Sequence, residues 1–365
     1  MKFQTIGFIG LGLIGGSIAK AIKYFYPETR ILAYSRSQGP LREALEAGAI
    51  DHIAGAVDAS FGACDLIFLC GPVSANASYL AVLKELISDS CILTDVGSTK
   101  TDIHEKVTEL GLEAHFIGGH PMAGSEKTGF ANSKRLLIEN AYYILTPCDQ
   151  VPKETVEEME AFTASLKAIP LVLPYAYHDY VTAAISHLPH LIAASLVNLV
   201  HDLDGQEEIM KKVAAGGFKD ITRIASSSPE MWEQICLTNQ ENIHKVLSCY
   251  IASLQHIQRD LEARDGSRIN QLFSSSREYR NSIPDVSAGP IKKEYALYCD
   301  MVDEAGGIAT LATILATNGI SLKNIGIIHN REFEEAVLRV EFYEKDAYEK
   351  AVEILRKYRY TVYTR

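Results

Sequence analysis

Two periods of hydrophobic spacing divide the chain. From residue 1 to about 173, short β-branched runs at 6–10, 31–35, 65–70, 91–96, 115–118, 142–146 and 170–173 alternate with helical patterns. That alternation predicts βαβ units and a mostly parallel sheet. From about 174 to 280 the strands stop and apolar residues recur at steps of three and four, most regularly at Ile243, Val246, Leu247, Tyr250, Ile251, Leu254, Ile257 and Leu261. One face of a long helix follows from this spacing, and a stripe of that length also suits a dimer surface. Ser228, Pro229 and Glu230 mark another helix start, a cap followed by proline at the first helical position. The apolar stretch 183–200, which contains His187, Pro189, His190 and Asn198, reads as a buried helix pair and not as a membrane span.

Residues 281–294 (NSIPDVSAGPIKKE) have linker composition, with Pro284, Gly289 and Pro290 among charges. Beyond them the pattern reads strand (295–302), helix (307–317), strand (322–329), turn at Asn330, strand (336–342), helix (347–358) and strand (360–363). This is the ferredoxin-like βαββαβ order. The expected organisation is an α/β dinucleotide-type domain over 1–173, an all-α domain over 174–284, a linker over 285–294 and a small α/β domain over 295–365.

Composition narrows the function. At 365 residues the chain exceeds one hydrophobic core, and its 47% apolar and 22% charged shares are those of a soluble globular protein. A net charge of −11 with no basic stripe argues against a nucleic-acid partner. The opening residues run into a strand pattern without the layout of a secretory signal, so a cytoplasmic protein is expected. The seven cysteines show no CxxC or other ligand spacing. Buried free thiols in a reducing compartment are therefore expected, and no metal.

Residues 6–17 read IGFIGLGLIGGS, which places Gly10, Gly12 and Gly15 in G-x-G-x-x-G spacing between a strand and a helix with Ile18, Ile22 and Phe25 on one side. Gly10 permits the tight turn, Gly12 lets the backbone approach a pyrophosphate, and Gly15 lets helix and strand pack closely. Leu13 and Ile14 at the helix start, and Gly71 and Pro72 after the strand 65–70, join the cofactor-binding set. An NAD site usually carries Asp or Glu at the end of the second strand; here the sequence is Tyr34, Ser35, Arg36, Ser37. A hydroxyl beside an arginine suits a 2′-phosphate, so the reading leans toward NADP or dual use. The alternative is that Arg36 stacks on adenine and NAD is still accepted.

After the strand 91–96 comes Gly97, Ser98, Thr99 and Lys100, and after the next strand comes GGHPMAGSE, residues 118–126. His120 is thus expected at the carboxyl ends of the strands, where Rossmann ligands bind and where a near-neutral base can take a hydroxyl proton. The helical part adds SHLPH and GGFKDITRIASSSPEMW (216–232), with Lys219, Arg223 and Trp232 in one short segment. An arginine fork reads a carboxylate bidentately.

DVGSTK, GGHPMAGSEKTG, SHLPHLIA and GGFKDITRIASSSPEMW, in this order behind the glycine motif, resemble the prephenate and arogenate dehydrogenase family over residues 1 to about 280. The terminal unit resembles the ACT domains that follow this enzyme in many bacteria. The resemblance implies a Rossmann domain joined to a helical dimerisation domain, a homodimer, and oxidative decarboxylation of prephenate with hydride transfer to NAD or NADP. It implies that His120 accepts the hydrogen bond from the ring 4-hydroxyl, helped by Ser98, which also contacts the cofactor. Arg223 would hold a substrate carboxylate, His187 and Lys219 would line the pocket, Glu126 would help gate it and Trp232 would close it. In the terminal unit Gly306, Gly307, Asn318 and Ile320 would bind tyrosine as an inhibitor, unless that unit serves only dimerisation. Arogenate dehydrogenase, a β-hydroxyacid-type dehydrogenase of related architecture, and a non-enzymatic dinucleotide and tyrosine sensor stay open as alternatives.

Overall fold

The computed structural model describes residues 3–125, 127–283, 295–301, 306–328 and 336–364. Glu126, the expected linker 285–294 and the turn at Asn330 lie outside the described residues. The chain divides into two compact units, Met1–Pro284 and Asp285–Arg365.

In the first unit, β1 (Thr5–Ile9), β2 (Arg30–Tyr34), β3 (His52–Ile53), β4 (Leu66–Leu69) and β5 (Ile92–Asp95) form a parallel sheet of order β3-β2-β1-β4-β5. Its strands are apolar on both sides because both sides are covered. Phe8 and Phe68 are paired across β1 and β4, stack at 4.9 Å, and belong to one core with Ile6, Ile18 and Ile22. Ile9, Ile67 and Leu69 point to the opposite core with Phe61, Leu80, Ile103 and Val107. The two-residue β3 is too short to leave a period in the sequence.

A parallel bridge between Leu93 and Phe116 leads to a second sheet of β6 (Ile117–Pro121), β7 (Tyr142–Pro147) and β8 (Ile169–Val172). β6 pairs antiparallel with β7, and β7 parallel with β8. Here one expectation is corrected: His120 lies within β6 and not after it. The expected strand ends at Gly118, yet Gly119 continues it, and both glycines are strand residues suited to close approach. A Cβ on Gly118 would lie 2.3 Å from Thr146 Oγ1, and one on Gly119 would lie 2.6 Å from the Asp95 carbonyl oxygen.

The stretch 183–200 is corrected as well. Helix Tyr175–Thr182, a π-helical turn Ala183–His187 and helix Leu188–Leu203 run on as one helix, where a buried pair was expected. By length and composition alone it could cross a membrane. Instead it is tied to the sheet through His178, which bonds His120 of β6, and it carries further buried polar residues, Asp179, Thr182 and His187. Its outer side, with Ile185, Leu199 and Leu203, is exposed in the single chain. The predicted long helix is present as Gln240–Glu262, and helix Pro229–Thr238 is capped by Ser228, whose hydroxyl accepts from the Met231 amide. Only Ile243 and Val246 of the long stripe are buried, whereas Ile251, Leu254 and Leu261 are exposed. An apolar face is thus left uncovered by this chain on its own.

In the second unit, β9 (Tyr295–Met301), β10 (Leu322–Ile328), β11 (Ala336–Phe342) and β12 (Val362–Thr364) form an antiparallel sheet of order β10-β11-β9-β12. Helices Gly307–Thr317 and Lys345–Lys357 complete the βαββαβ order. Leu297, Cys299, Leu311, Leu315, Leu338, Val340 and Leu355 form its core. All seven cysteines are free thiols, but Cys249 is exposed, contrary to the expectation of burial.

Candidate active site

The glycine motif folds as its spacing requires. Gly10 has φ +87° in the turn between β1 and the helix Leu13–Phe25, and its amide donates to the Tyr34 carbonyl at 2.7 Å, extending the pairing of β1 with β2. A Cβ on Gly15 would lie 3.0 Å from Cys70 Sγ, so helix and β4 meet where a side chain is missing. At Gly12, the residue before the helix, a Cβ would meet nothing within 4 Å. That open face, with the free first-turn amides of Leu13 and Ile14, fits a dinucleotide pyrophosphate. Buried Asn76 holds the next turn: its Oδ1 accepts from the Gly71 amide at 3.1 Å and its Nδ2 donates to the Leu69 carbonyl at 3.3 Å. Pro72 then precedes helix Val73–Leu83. Ser35 is half-buried and Arg36 exposed directly after β2. Burial and a hydrogen bond with Tyr34 raise the Tyr79 hydroxyl pKa, while the Arg36 charge opposes them.

At the carboxyl end of β6, His120 Nδ1 lies 2.8 Å from His178 Nε2, and His178 Nδ1 lies 2.8 Å from Asp179 Oδ1. The same carboxylate accepts the Lys100 amide at 2.8 Å, the Thr101 amide at 2.8 Å and the Thr101 hydroxyl at 2.6 Å. Asp179 therefore caps the helix Thr101–Leu110 from a distant helix. Burial pushes its pKa up, but the bonds from His178 and Thr101 outweigh this and leave it below the usual carboxylate value. These contacts assign the tautomers. An ionised Asp179 takes the proton on His178 Nδ1, which leaves His178 Nε2 as acceptor for His120 Nδ1–H. The bare nitrogen of His120 is then Nε2. Burial first, and then the charges of His178, Lys100 and His187, hold His120 well below its ordinary pKa, so it is a neutral base.

A second group adjoins the first. Asn239 Nδ2 donates to the Asp179 carbonyl at 2.7 Å and lies 3.1 Å from His187 Nδ1, while its Oδ1 accepts from Asn242 at 2.8 Å. His187 is only 1% exposed, and burial lowers its pKa to about 4. His190 stacks on Trp232 at 3.8 Å, and the indole N–H is buried without a partner among the described residues. Arg223, the first residue of the 3-10 turn Arg223–Ser226, lowers the His190 pKa through its charge, after burial. Lys219 is exposed on helix Gly216–Thr222. Ser98 is half-buried in the turn after β5, between Gly97 and the buried Thr99 and Lys100. The structure thus joins His120 to His178 and Asp179, and groups His187, His190 and Trp232. Sequence reading missed His178 and Asp179. The available signal was a His-Asp pair in an apolar helix, because charged residues are rarely buried unless paired.

Comparison with known proteins decides the family. The profile of the prephenate dehydrogenase nucleotide-binding domain matches residues 18–171, and that of the prephenate dehydrogenase dimerization domain matches residues 175–275. The chain belongs to the prephenate dehydrogenase family. It is 39% identical to prephenate dehydrogenase of Bacillus subtilis (strain 168) over 348 residues, 94% of this chain and 93% of that protein. The structure is similar to prephenate dehydrogenase from A. aeolicus in complex with hydroxyphenyl propionate and NAD+, with TM-score 0.73 and 29% identity over 78% of this chain and 99% of that one. It is also similar to Synechocystis arogenate dehydrogenase, with TM-score 0.69 and 28% identity over 76% and 99% of the two chains. As a family member the chain is an oxidoreductase that uses a nicotinamide dinucleotide, and the dimerization domain fits a homodimer.

Two buried histidines of this prephenate dehydrogenase fold make its stability acid-sensitive. His104, bonded to Thr146 and Cys148, is lowered to about 3 by burial and then by the Lys100 charge, and His187 to about 4 by burial. The unfolded chain protonates both from about pH 6.5 downward while the folded chain does not. Stability is therefore present above pH 6.5 and falls with pH below it, approaching about 1.4 kcal/mol per unit for each histidine. Urea unfolding at pH 7, 6 and 5 checks this. His104→Gln is expected to flatten the slope by one proton, and an unchanged slope contradicts the assignment.

Proposed function

We propose that this enzyme oxidatively decarboxylates prephenate to 4-hydroxyphenylpyruvate in tyrosine biosynthesis, in the cytoplasm. The observation that carries the reading is the chain Asp179–His178–His120, which ends on a bare imidazole nitrogen at the carboxyl end of β6. Gly10, Gly12, Leu13, Ile14, Gly15, Gly71, Pro72 and Ser98 would hold the dinucleotide, which supplies the hydride acceptor. His120 Nε2 takes the proton of the ring 4-hydroxyl, with Ser98 steering that hydroxyl, as hydride leaves the same carbon. The cation formed on His120 is stabilised through His178 by the Asp179 charge. Loss of the ring carboxylate as CO2 then restores aromaticity. Arg223 grips a substrate carboxylate, with Lys219 nearby in sequence and Glu126 as gate. Trp232 closes the pocket, and His187, buried behind it, supports it. Arogenate is the second candidate substrate, favoured by the likeness to the Synechocystis enzyme.

His120→Asn is expected to lower kcat by about 10² to 10⁴ while leaving the dinucleotide Kd nearly unchanged. Reduced-nicotinamide absorbance with prephenate and with arogenate measures it. An unchanged kcat rejects His120 as proton acceptor, and turnover of arogenate alone rejects prephenate.

Ser35 and Arg36 after β2 support NADP use at least as good as NAD use. The comparison of kcat/KM for the two cofactors decides it, and Ser35→Asp is expected to shift preference toward NAD by repelling the 2′-phosphate. A strong preference of the unaltered enzyme for NAD contradicts the reading.

The second unit is proposed as an ACT domain that binds tyrosine near Gly306, Gly307, Asn318 and Ile320. Its βαββαβ order, the left-handed turns at Gly306 (φ +95°) and Gly319 (φ +72°) and the buried Ile320 support this. A variant ending near Ser287 should stay active and lose tyrosine inhibition that persists at saturating prephenate, because an effector acts at a distance only through differential affinity for two states. If both forms show the same purely competitive inhibition, the unit serves dimerisation alone.

A further inference from the structure

Lys100 has no part in the reaction as described, yet it is among the largest fully buried side chains. Its ammonium is paired with Asp95 Oδ2, and both groups are sealed from solvent, with side-chain exposures of 0% and 1%. The Asp95 carboxylate is also held by the Gly97 amide at 2.8 Å and the Gly119 amide at 3.1 Å. The lysine stem fills the space behind Gly118: a Cβ there would lie 3.1 Å from Lys100 Cδ. Gly118 and Gly119 directly precede His120, and the Lys100 amide donates to the Asp179 carboxylate that orients His178. One residue thus contacts Asp179 directly and packs against the strand two residues before His120.

A buried lysine loses its hydration, which a single ion pair offsets only in part. A neutral side chain of the same length would fill the gap behind Gly118 without that cost. We propose that Lys100 is a positioning residue for this reaction: a sealed cation behind β6 that repels a proton on His120 and so keeps it a free base. The proposal rests on the reading of His120 as the proton acceptor. Other charges face His120 and His178 as well. Asp179 on the helix of His178 accepts from His178 Nδ1, His187 from the π-helical turn disfavours protonation of His120, and Asp95 on β5 is paired with Lys100 itself.

The test is the pH profile of kcat/KM for prephenate with the full chain, in Lys100→Met, Lys100→Arg and His120→Asn. Loss of the cation removes repulsion from the imidazolium, so in Lys100→Met the acid limb is expected to move to higher pH by about one unit. Turnover should recover toward the unaltered rate above that limb. Lys100→Arg, which keeps the charge, should keep the midpoint. If Lys100→Met does not fold, Lys100→Met combined with Asp95→Asn leaves no uncompensated buried charge, and the same upward direction is expected. A midpoint equal to that of the unaltered enzyme in whichever of these folds, with kcat scaled down at every pH, makes Lys100 merely structural and overturns the proposal. If His120→Asn is inactive in that same series, only the role of Lys100 has failed. Retained activity in His120→Asn overturns the reading of His120 and the proposal together.

Discussion

The carboxylate of Asp179 accepts hydrogen bonds from the Lys100 and Thr101 amides, the Thr101 hydroxyl and His178 Nδ1. Sealing a carboxylate inside a protein is costly unless its lone pairs are filled, and here they are. The result is a joint between two parts of the chain that are distant in sequence. The loop after β5 and the helix carrying His178 cannot shift relative to each other without leaving this charge unpaired. His120 inherits its orientation and its tautomer from that joint, as a histidine does when a carboxylate holds its far nitrogen. The same joint links the dinucleotide-binding part to the helical part within the compact unit Met1–Pro284.

The glycine motif was legible because backbone geometry there restricts residue type. The positive φ of Gly10 and the contact of Gly15 with Cys70 are demands that a sequence must meet with glycine. The long helix Gln240–Glu262 and the βαββαβ order of the second unit followed from period and turn residues. Gly118 and Gly119 misled for the opposite reason. The strand was expected to end at Gly118, whereas Gly119 and His120 continue it and the two glycines admit Thr146 and the Asp95 carbonyl. His178 and Asp179 left no spacing signal, since their partner His120 is 58 residues away and the relation exists only in the fold. The merged helix from Tyr175 to Leu203 was hidden by Pro189, which is tolerated because it falls in the first turn after the π-helical segment.

The helical part of the first unit has a small core of its own, Ala183, Ile243 and Val246, beside many exposed apolar residues. Such an imbalance is expected of a domain that completes its core against a second copy, in agreement with the dimerization domain matched over these residues. The same helices carry His178, Asp179, His187, His190, Trp232 and Asn239. Whatever steadies that face therefore steadies the site.

The central claim is that the Asp179 charge makes His120 a base by fixing the proton on His178 Nδ1. Its most direct measurement is the rate of hydride transfer in a single turnover, followed by nicotinamide absorbance in Asp179→Asn with dinucleotide and prephenate saturating. An asparagine oxygen can keep only one side of the caps on helix Thr101–Leu110, and the substitution loses the charge that stabilises the proton taken by His120. Hydride transfer slowed by about 10² or more, with dinucleotide affinity unchanged, is the predicted result. A rate equal to that of the unaltered enzyme would contradict the account.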